Sequence, residues 1–327
     1  MFARFPDALP LETAMSSRTG HPSDHESSAR AYVLLTMTTM CWGANAVFGR
    51  LAVDQVSPML LVCLRWLGTV LLVLVFAGRH VRRDWPALRR HLPLLAAMGA
   101  IGFTAFNALF YIAAHSTTAV NIGIIQGSMP VFVLLGAFLA YRSPVSALQM
   151  AGVALTMVGV VTVGSGGSLE RLVNLSFNPG DGLMIIACSF YAAYAVGLLR
   201  RPAVSSMALF TVLASSAFVV SLPLAAAEAA LGMAQWPTPR GWVVVGLVTL
   251  LPSFLAQIFF IQGVALIGPG RAGVFINLVP VFASIMAVVV LSEPFELFHG
   301  AALCLVLLGI WVSERNRRSA PGPDPSD

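Results

Sequence analysis

The sequence predicts an all-α polytopic membrane protein, with ten transmembrane helices arranged as two inverted five-helix repeats. Three observations carry this reading. Hydrophobic residues fill 57% of the 327 positions and charged residues only 10%, with mean hydropathy +0.83. A soluble domain carries roughly 25% charged residues, so this chain cannot coat a globular surface. Apolar runs of spanning length recur along the chain. The stretch MPVFVLLGAFLAYRSP at 129–144 also returns 150 positions later as VPVFASIMAVVVLSEP at 279–294.

The apolar runs fall at about 31–53, 57–77, 92–113, 117–140 and 144–164, then at about 181–199, 206–227, 241–263, 270–291 and 295–313. Each approaches the roughly 20 residues with which a helix crosses about 30 Å of hydrocarbon. They are unbroken and rich in Leu, Ala and Val, unlike the alternating short segments of a membrane barrel. Residues 1–30 are polar and offer no apolar stretch for a signal peptide. They read as a disordered cytoplasmic tail, and 314–327, ending SAPGPDPSD, as another. Between the tails lie repeats at 31–164 and 181–313.

All 19 basic residues are Arg. With ten spans both termini share a side. That side then holds Arg4, Arg18, Arg30, Arg79, Arg82, Arg83, Arg89, Arg90, Arg142, Arg200, Arg201, Arg271, Arg315, Arg317 and Arg318, against Arg50, Arg171 and Arg240 opposite. Basic residues mark the cytoplasmic side, which places both termini there, in a plasma (inner) membrane. The same bias accounts for the pI of 9.4 without nucleic acid. Cys41, Cys63, Cys188 and Cys304 lie in apolar runs without metal spacing and read as small core residues. No metal or cofactor is expected.

The repeat is gapless from 109–160 to 259–310. Gly123 meets Gly273, Pro130 meets Pro280, Pro144 meets Pro294 and Gly159 meets Gly309. Further back the offset is 149, pairing Trp42 with Tyr191 and Asn45 with Tyr194. Five spans is an odd number, so the second copy enters from the opposite face. Inverted repeats of this kind build secondary transporters, with the site near the midplane between the halves.

The segments CWGANAVFGR (41–50), SPMLLVCLRW (57–66), TTAVNIGIIQGSMPVF (117–132) and GRAGVFINLVPVFASIMAVVVLSEP (270–294) resemble the drug/metabolite transporter superfamily, in its EamA-type branch of ten-helix exporters. The resemblance covers roughly 31–313. It implies transport of small metabolites, often export of amino acids or related compounds. The family's Glu-rich helix end is kept as Glu293, whereas the first half has Tyr141-Arg142-Ser143 there.

Polar side chains inside spans face a partner helix or a cavity. Asn45, Asn107, Gln126, Gln257 and Asn277 are therefore candidate substrate contacts, as are the aromatic Trp42, Tyr111, Tyr191 and Tyr194. Asn107 and Gln257 are repeat mates, and two amides at mid-depth suit a zwitterion or a neutral polar solute. The bland alternatives are interhelical hydrogen bonds for the amides and packing for the rings. Arg65 lies about eight residues into the second span, at a depth that costs about 2.5–3.5 kcal/mol on insertion scales. Two readings stand: it holds a substrate carboxylate, or it bonds carbonyls at a helix break or snorkels. Pro130 and Pro280 are gating candidates, because each frees the carbonyl four residues earlier; Pro223 and Pro252 also read as helix interruptions. Gly123 to Gly127 is a GxxxG pattern suited to close packing at the seam. GSGGS at 164–168 reads as a turn.

No Asp or Glu lies deep within a span, and His115 and His299 sit near the outer face, so any proton coupling is expected at the periphery. The expected function is export of a small metabolite by alternating access, with a small-molecule substrate and the bilayer as partners. The alternatives are a carrier or flippase for a nucleotide-sugar or lipid-linked headgroup, and an intramembrane enzyme. No HExxH, GxSxG or P-loop pattern supports the last. Monomer and homodimer are both open.

Overall fold

The computed structural model describes residues 22–142, 145–173, 178–267, 272 and 275–315. Among these all regular structure is helical, the arrangement that satisfies backbone groups where water is absent. The first repeat contains α1 (Pro22–Ala52), α2 (Pro58–Leu88), α3 (Leu92–Gly99), α4 (Phe106–Ala113), α5 (Ala119–Gly127), α6 (Met129–Tyr141) and α7 (Ala147–Gly164). A short α8 (Leu169–Val173) follows. The second repeat contains α9 (Pro179–Gly197), α10 (Ser206–Ala230), α11 (Pro239–Val248), α12 (Ala256–Ile267), α13 (Val279–Leu291) and α14 (Leu297–Arg315).

Helix starts follow from local chemistry. Thr118, Ser205 and Thr238 cap α5, α10 and α11 through side-chain oxygens, and Ser146 with Gln149 forms a capping box on α7. Pro58, Pro179 and Pro239 occupy first-turn positions, where a missing N–H costs nothing. Arg142 and Ser292, 150 apart, end α6 and α13 in the left-handed conformation with φ 51° and 54°. Gly166 and Gly167 have φ 58° and 69°, so the glycine-rich stretch after α7 is the expected turn.

Among the described residues six helical runs are long and apolar enough to cross a bilayer, or seven with the pair α5–α6, which bends by 41°. One of these runs, Pro58–Ala113, has 56 residues. It is a hairpin, since Arg65 on α2 bonds Asn107 and Tyr111 on α4. Val279–Leu291 and Leu297–Ser313 are shorter apolar helices. The expected ten crossings therefore count the hairpin as two arms and include these shorter helices.

The repeats exchange their first helices. Helix α1 packs into the second repeat: Thr38 Oγ1 donates to the Ala256 carbonyl, Trp42 Nε1 donates to that of Pro252, and Gly43 abuts Ala283. Helix α9 packs into the first: Gly102 abuts Tyr194, and Gly197 faces Met98. The GxxxG pattern lies at this seam. A Cβ on Gly123 would fall 2.4 Å from Ala283 Cβ, and one on Gly127 2.8 Å from Pro280. Helices α7 and α14 cross closely where Gly152 meets the Gly309 carbonyl.

Three carboxylates tie helix ends across the repeats. Glu228, in the last turn of α10, accepts from the Met59 and Leu60 amides at the start of α2 (3.1 and 3.0 Å) and from Ser57 Oγ (2.6 Å). Asp84, near the end of α2, accepts from Ser205 N and Oγ at the start of α10 (2.8 and 2.7 Å). Helices α2 and α10 thus clamp each other's N-termini, where a carboxylate also meets the positive end of the helix dipole. Glu293 does the same for α5, accepting from Ala119 and Val120 N at 2.9 and 3.0 Å.

Several expectations need correction. Helix α1 already includes residues 22–30, which were assigned to the tail. Cys304 is exposed rather than buried. Pro130 and Pro280 stand in the first turns of α6 and α13 rather than in helix interiors, and Pro223 lies within an unbroken α10. Residues 1–21, 143–144 and 316–327, including most of both proposed tails, lie outside the described residues.

Two outcomes are expected. Gly123→Ala lowers the thermal midpoint of the purified protein, by about 1–3 kcal/mol of overpacking; adding Ala283→Gly restores it, while Gly78→Ala, where nothing lies within 4 Å, does not lower it. Hydrogen bonds from Arg83 and Ser205 hold the Asp84 carboxyl far below the usual carboxylate range. The clamp's stabilisation is therefore complete above about pH 4 and is lost only as pH falls below it. Asp84→Asn should lower the thermal midpoint equally at pH 6 and pH 8.

Candidate functional site

Two wide helical turns shape the centre of the molecule. Ala100–Ala105 joins α3 to α4 as a π-helical segment, and Thr249–Leu255 joins α11 to α12 in the same way. They are repeat mates, with Gly102 matching Pro252 and Phe103 matching Ser253. Such turns re-aim side chains and recur at functional sites. Pro252 lacks an N–H, which suits a broken ladder. Ser253 Oγ donates to the Val248 carbonyl five residues back (2.6 Å).

Between these turns lies a cavity of about 320 Å³. Its walls come from both repeats: Trp42 and Asn45 of α1, Arg65 and Trp66 of α2, Gly102 to Asn107, Gln126 to Leu134 in part, Tyr191 and Ala195 of α9, Pro252, Ser253 and Gln257, and Ile276 and Val279. Phe103 stacks on Trp66 with centroids 4.8 Å apart and planes within 5°. Phe106 and Tyr191 form a further ring pair at 5.7 Å.

Arg65 is 5% exposed. Its Nε donates to Ser253 Oγ (2.6 Å), and its Nη1 reaches Asn107 Oδ1 (2.6 Å), Tyr111 OH (2.6 Å) and Asn45 Oδ1 (3.2 Å). Tyr111 OH in turn donates to Asn45 Oδ1 (3.3 Å), and Asn107 Nδ2 donates to the Phe103 carbonyl (2.6 Å). The guanidinium also lies 5.4 and 5.9 Å from the ring centroids of Trp66 and Tyr111. Every one of these partners is neutral. Neither snorkelling nor backbone carbonyls hold it, although Ser253 does stand on a helix break.

Of the residues singled out from the sequence, Trp42, Asn45, Arg65, Asn107, Gln126, Tyr191, Gln257 and Pro130 line the cavity. Asn107 and Gln257 share it, but Asn107 is bonded to Arg65 rather than to its repeat mate. Tyr111 is 2% exposed and stands behind Arg65, outside the lining. Tyr194 packs behind Phe103 and Tyr191. Asn277 is outside the lining, its Oδ1 buried without a partner, and Pro280 packs on Gly127. Sequence reasoning missed Trp66, Phe103, Phe106 and Ser253. The two Phe and Trp66 look like ordinary span residues; Ser253, a polar residue beside Pro252, carried a signal.

One end of the molecule is closed by a bonded cluster. Glu293, besides capping α5, lies 3.8 Å from Arg50 Nε, and Arg50 Nη1 donates to the Ala114 carbonyl. Asp181, in the first turn of α9 and 1% exposed, accepts from Thr117 Oγ1 and, at 3.1 Å, from Asn121 Nδ2. Asn121 Oδ1 meets His299 Nε2 (3.2 Å), while His299 Nδ1 accepts from Glu296 N (3.0 Å). His299 is thus buried, with both ring nitrogens hydrogen-bonded. Loop bonds from Ser57 N to the Gln235 carbonyl (3.1 Å) and from Thr238 N to that of Gln55 (2.9 Å) close the same end.

Comparison with known proteins agrees with this architecture. The chain is 28% identical over 289 residues to an uncharacterized transporter, YetK, of Bacillus subtilis (strain 168), covering 86% of each chain. It is 25% identical over 309 residues to a probable amino-acid metabolite efflux pump of Salmonella typhimurium (strain LT2), covering 88% of this chain and 96% of the other. A solved crystal structure with 16% identity matches the fold with a TM-score of 0.59, over 90% of this chain and 99% of that one. Both relatives are named as transporters, and the intramembrane-enzyme alternative falls with that. Over residues 29–165 and 178–314 the chain matches the EamA-like transporter family, and it belongs to that family.

Proposed function

We propose that this transporter exports a small metabolite, such as an amino acid or related compound, by alternating access, with both termini in the cytoplasm of a plasma (inner) membrane. The observation that carries the reading is the cavity at the junction of the two repeats, built around a buried cation. An exporter of this build needs a site that both faces reach in turn, and a central cavity walled by both repeats is such a site. The efflux-pump relative and the sidedness of the arginines support the direction and the orientation.

In that orientation the Glu293 end faces outward. Arg65 lies about 12 Å along α2 from its outer start, and the cavity extends from that depth toward Leu134 and Ala195, on the cytoplasmic side. The Glu293 clamp, the Asp181–Asn121–His299 chain and the loop bonds stand between the cavity and the outside. This conformation is then the one that loads from the cytoplasm. Release requires α5 to part from Glu293, and the break of 41° before Pro130 gives α5 a joint on which to move. The nucleotide-sugar alternative is less well served, because Arg65 is the single cation in the cavity wall among the described residues.

Two measurements test this reading. Cells overproducing the native chain should raise one or more extracellular metabolites, and a Trp42→Ala/Gln257→Ala variant at equal membrane level should lose that rise. An unchanged medium together with intracellular accumulation of a supplied solute would mean import instead. Glu293→Gln keeps shape but turns one of the two acceptor oxygens into a donor, so one amide bond is lost, the other loses its charge assistance and the Arg50 pair goes. In a Cys304→Ser background carrying Gln126→Cys, it should speed labelling by an impermeant thiol reagent added outside by about fivefold, the population shift of about 1 kcal/mol. An unchanged labelling rate would remove Glu293 from the gate.

A further inference from the structure

We infer that the cavity takes a hydrophobic organic monoanion, a carboxylate on a flat apolar body, and disfavours a ligand that also carries a free ammonium. This rests on the reading of the cavity as the transport site, and narrows "amino acid or related compound" to acids without a charged amine.

Charge is the first argument. Arg65 is buried, and its four hydrogen-bonded partners, Asn45, Asn107, Tyr111 and Ser253, are neutral. No Asp, Glu or His lines the cavity among the described residues. The two ion pairs found there, Arg50–Glu293 and Arg83–Asp84, lie elsewhere. The cavity wall therefore carries a whole positive charge away from bulk water, and an entering anion compensates it.

The second argument is donor geometry. Nε has one acceptor and Nη1 has three within reach for its two hydrogens, so the guanidinium is held fast on those sides. Nη2 is bonded to no acceptor among the described residues. An oxyanion has the lone pairs that this donor lacks. The body follows from the walls: the Trp66–Phe103 stack and the Phe106–Tyr191 pair line a largely apolar, aromatic cavity of about 320 Å³, at the small end for ligand pockets.

An ammonium meets the opposite conditions. In an α-amino acid it sits next to the carboxylate, hence near Arg65, whose charge repels it in this medium of low dielectric constant. The acceptors next to Arg65 are taken: Asn45 and Asn107 oxygens by Arg65, and the Pro252 carbonyl by Trp42. Gln126, Gln257 and Tyr191 still offer neutral oxygens, but no carboxylate lines the cavity among the described residues to balance an ammonium beside Arg65.

The test uses the native chain in lipid nanodiscs and calorimetric titration with three probes that share a benzyl group: phenylacetate, phenylacetamide and phenylalanine. Phenylacetate is expected to bind at least about tenfold more tightly than either, the discrimination of a charge-assisted bond over a neutral one. Arg65→Gln should abolish that preference while Gly78→Ala, outside the cavity lining, leaves it. If Arg65→Gln does not fold, the ranking of the three probes on the native protein decides alone. Equal binding of acid and amide, tighter binding of phenylalanine, or no binding of phenylacetate by a chain that still exports metabolites would each overturn the inference. Tight phenylacetate binding by a chain that moves no solute across proteoliposomes would leave the anion site standing and sink the export reading.

Discussion

The constraint on which the rest of the structure depends is the burial of one guanidinium without a carboxylate. Removing an ion from water costs several kcal/mol even after relaxation, and an unpaired buried charge is among the costliest features a fold can hold. Here that cost is met by dipoles. Asn45 comes from α1, Asn107 and Tyr111 from α4, and Ser253 from the wide turn of the second repeat. Three segments must therefore converge within hydrogen-bonding distance of one side chain of α2. The hairpin α2–α4, the exchanged position of α1 and the π-helical segment at 249–255 can be read as the geometry this convergence requires. A carboxylate partner would have been simpler electrostatically, but it would have cancelled the charge that makes the cavity selective.

How much of this was legible in the sequence follows from the range of each interaction. The repeat was visible because inverted copies keep the same apolar helices and the same breaks, so Pro130 and Pro280 align without a gap. Arg65 was visible because a charge in an apolar run has no other explanation than a partner or a cavity. Three of its four partners were visible: Asn45 and Asn107 stand out as amides in spans and Tyr111 as an aromatic with a polar tip, whereas Ser253 does so less, because hydroxyls are tolerated in helices through bonds to their own backbone. Tyr194 and Asn277 carried the same signal as Tyr191 and Asn107 yet fall behind the wall. One turn of helix decides which side of a wall a residue meets, and composition does not carry that phase. The acids at helix ends gave no sign of what they bind. Their partners are backbone amides of segments more than a hundred residues away, and backbone amides leave no trace in sequence.

The exchange of first helices bears on movement. Because α1 packs with α11–α13 and α9 packs with α3–α6, neither repeat can shift as a closed unit of consecutive residues. The mobile bodies of such an arrangement are mixed: each combines one helix of one repeat with the centre of the other. Gly43 and Gly123 both meet Ala283, so α1, α5 and α13 approach closely along a smooth track of small side chains. Small residues permit sliding without interlocked side chains, while the tight crossing of α7 and α14 at Gly152 and Gly309 holds the two halves together at one edge.

The symmetry of the backbone is not matched by symmetry of the chemistry, and this difference gives the fold a direction. Glu293 follows α13 and binds the start of α5, yet the residues that follow α6, Tyr141-Arg142-Ser143, offer no acid in the equivalent place. Asp84 and Glu228 do form clamps at both ends, so the pair α2–α10 is balanced. The imbalance therefore rests on the α5 end alone, where Glu293, Arg50, Asp181 and His299 gather. Two conformations related by the repeat would be equal in energy if the sequence were perfectly repeated. A clamp of charge-assisted bonds at one end, without its mate at the other, lowers one of them. On the proposed orientation the lowered state is the one closed to the outside, and the same asymmetry that makes the two faces unequal sets which state waits for substrate.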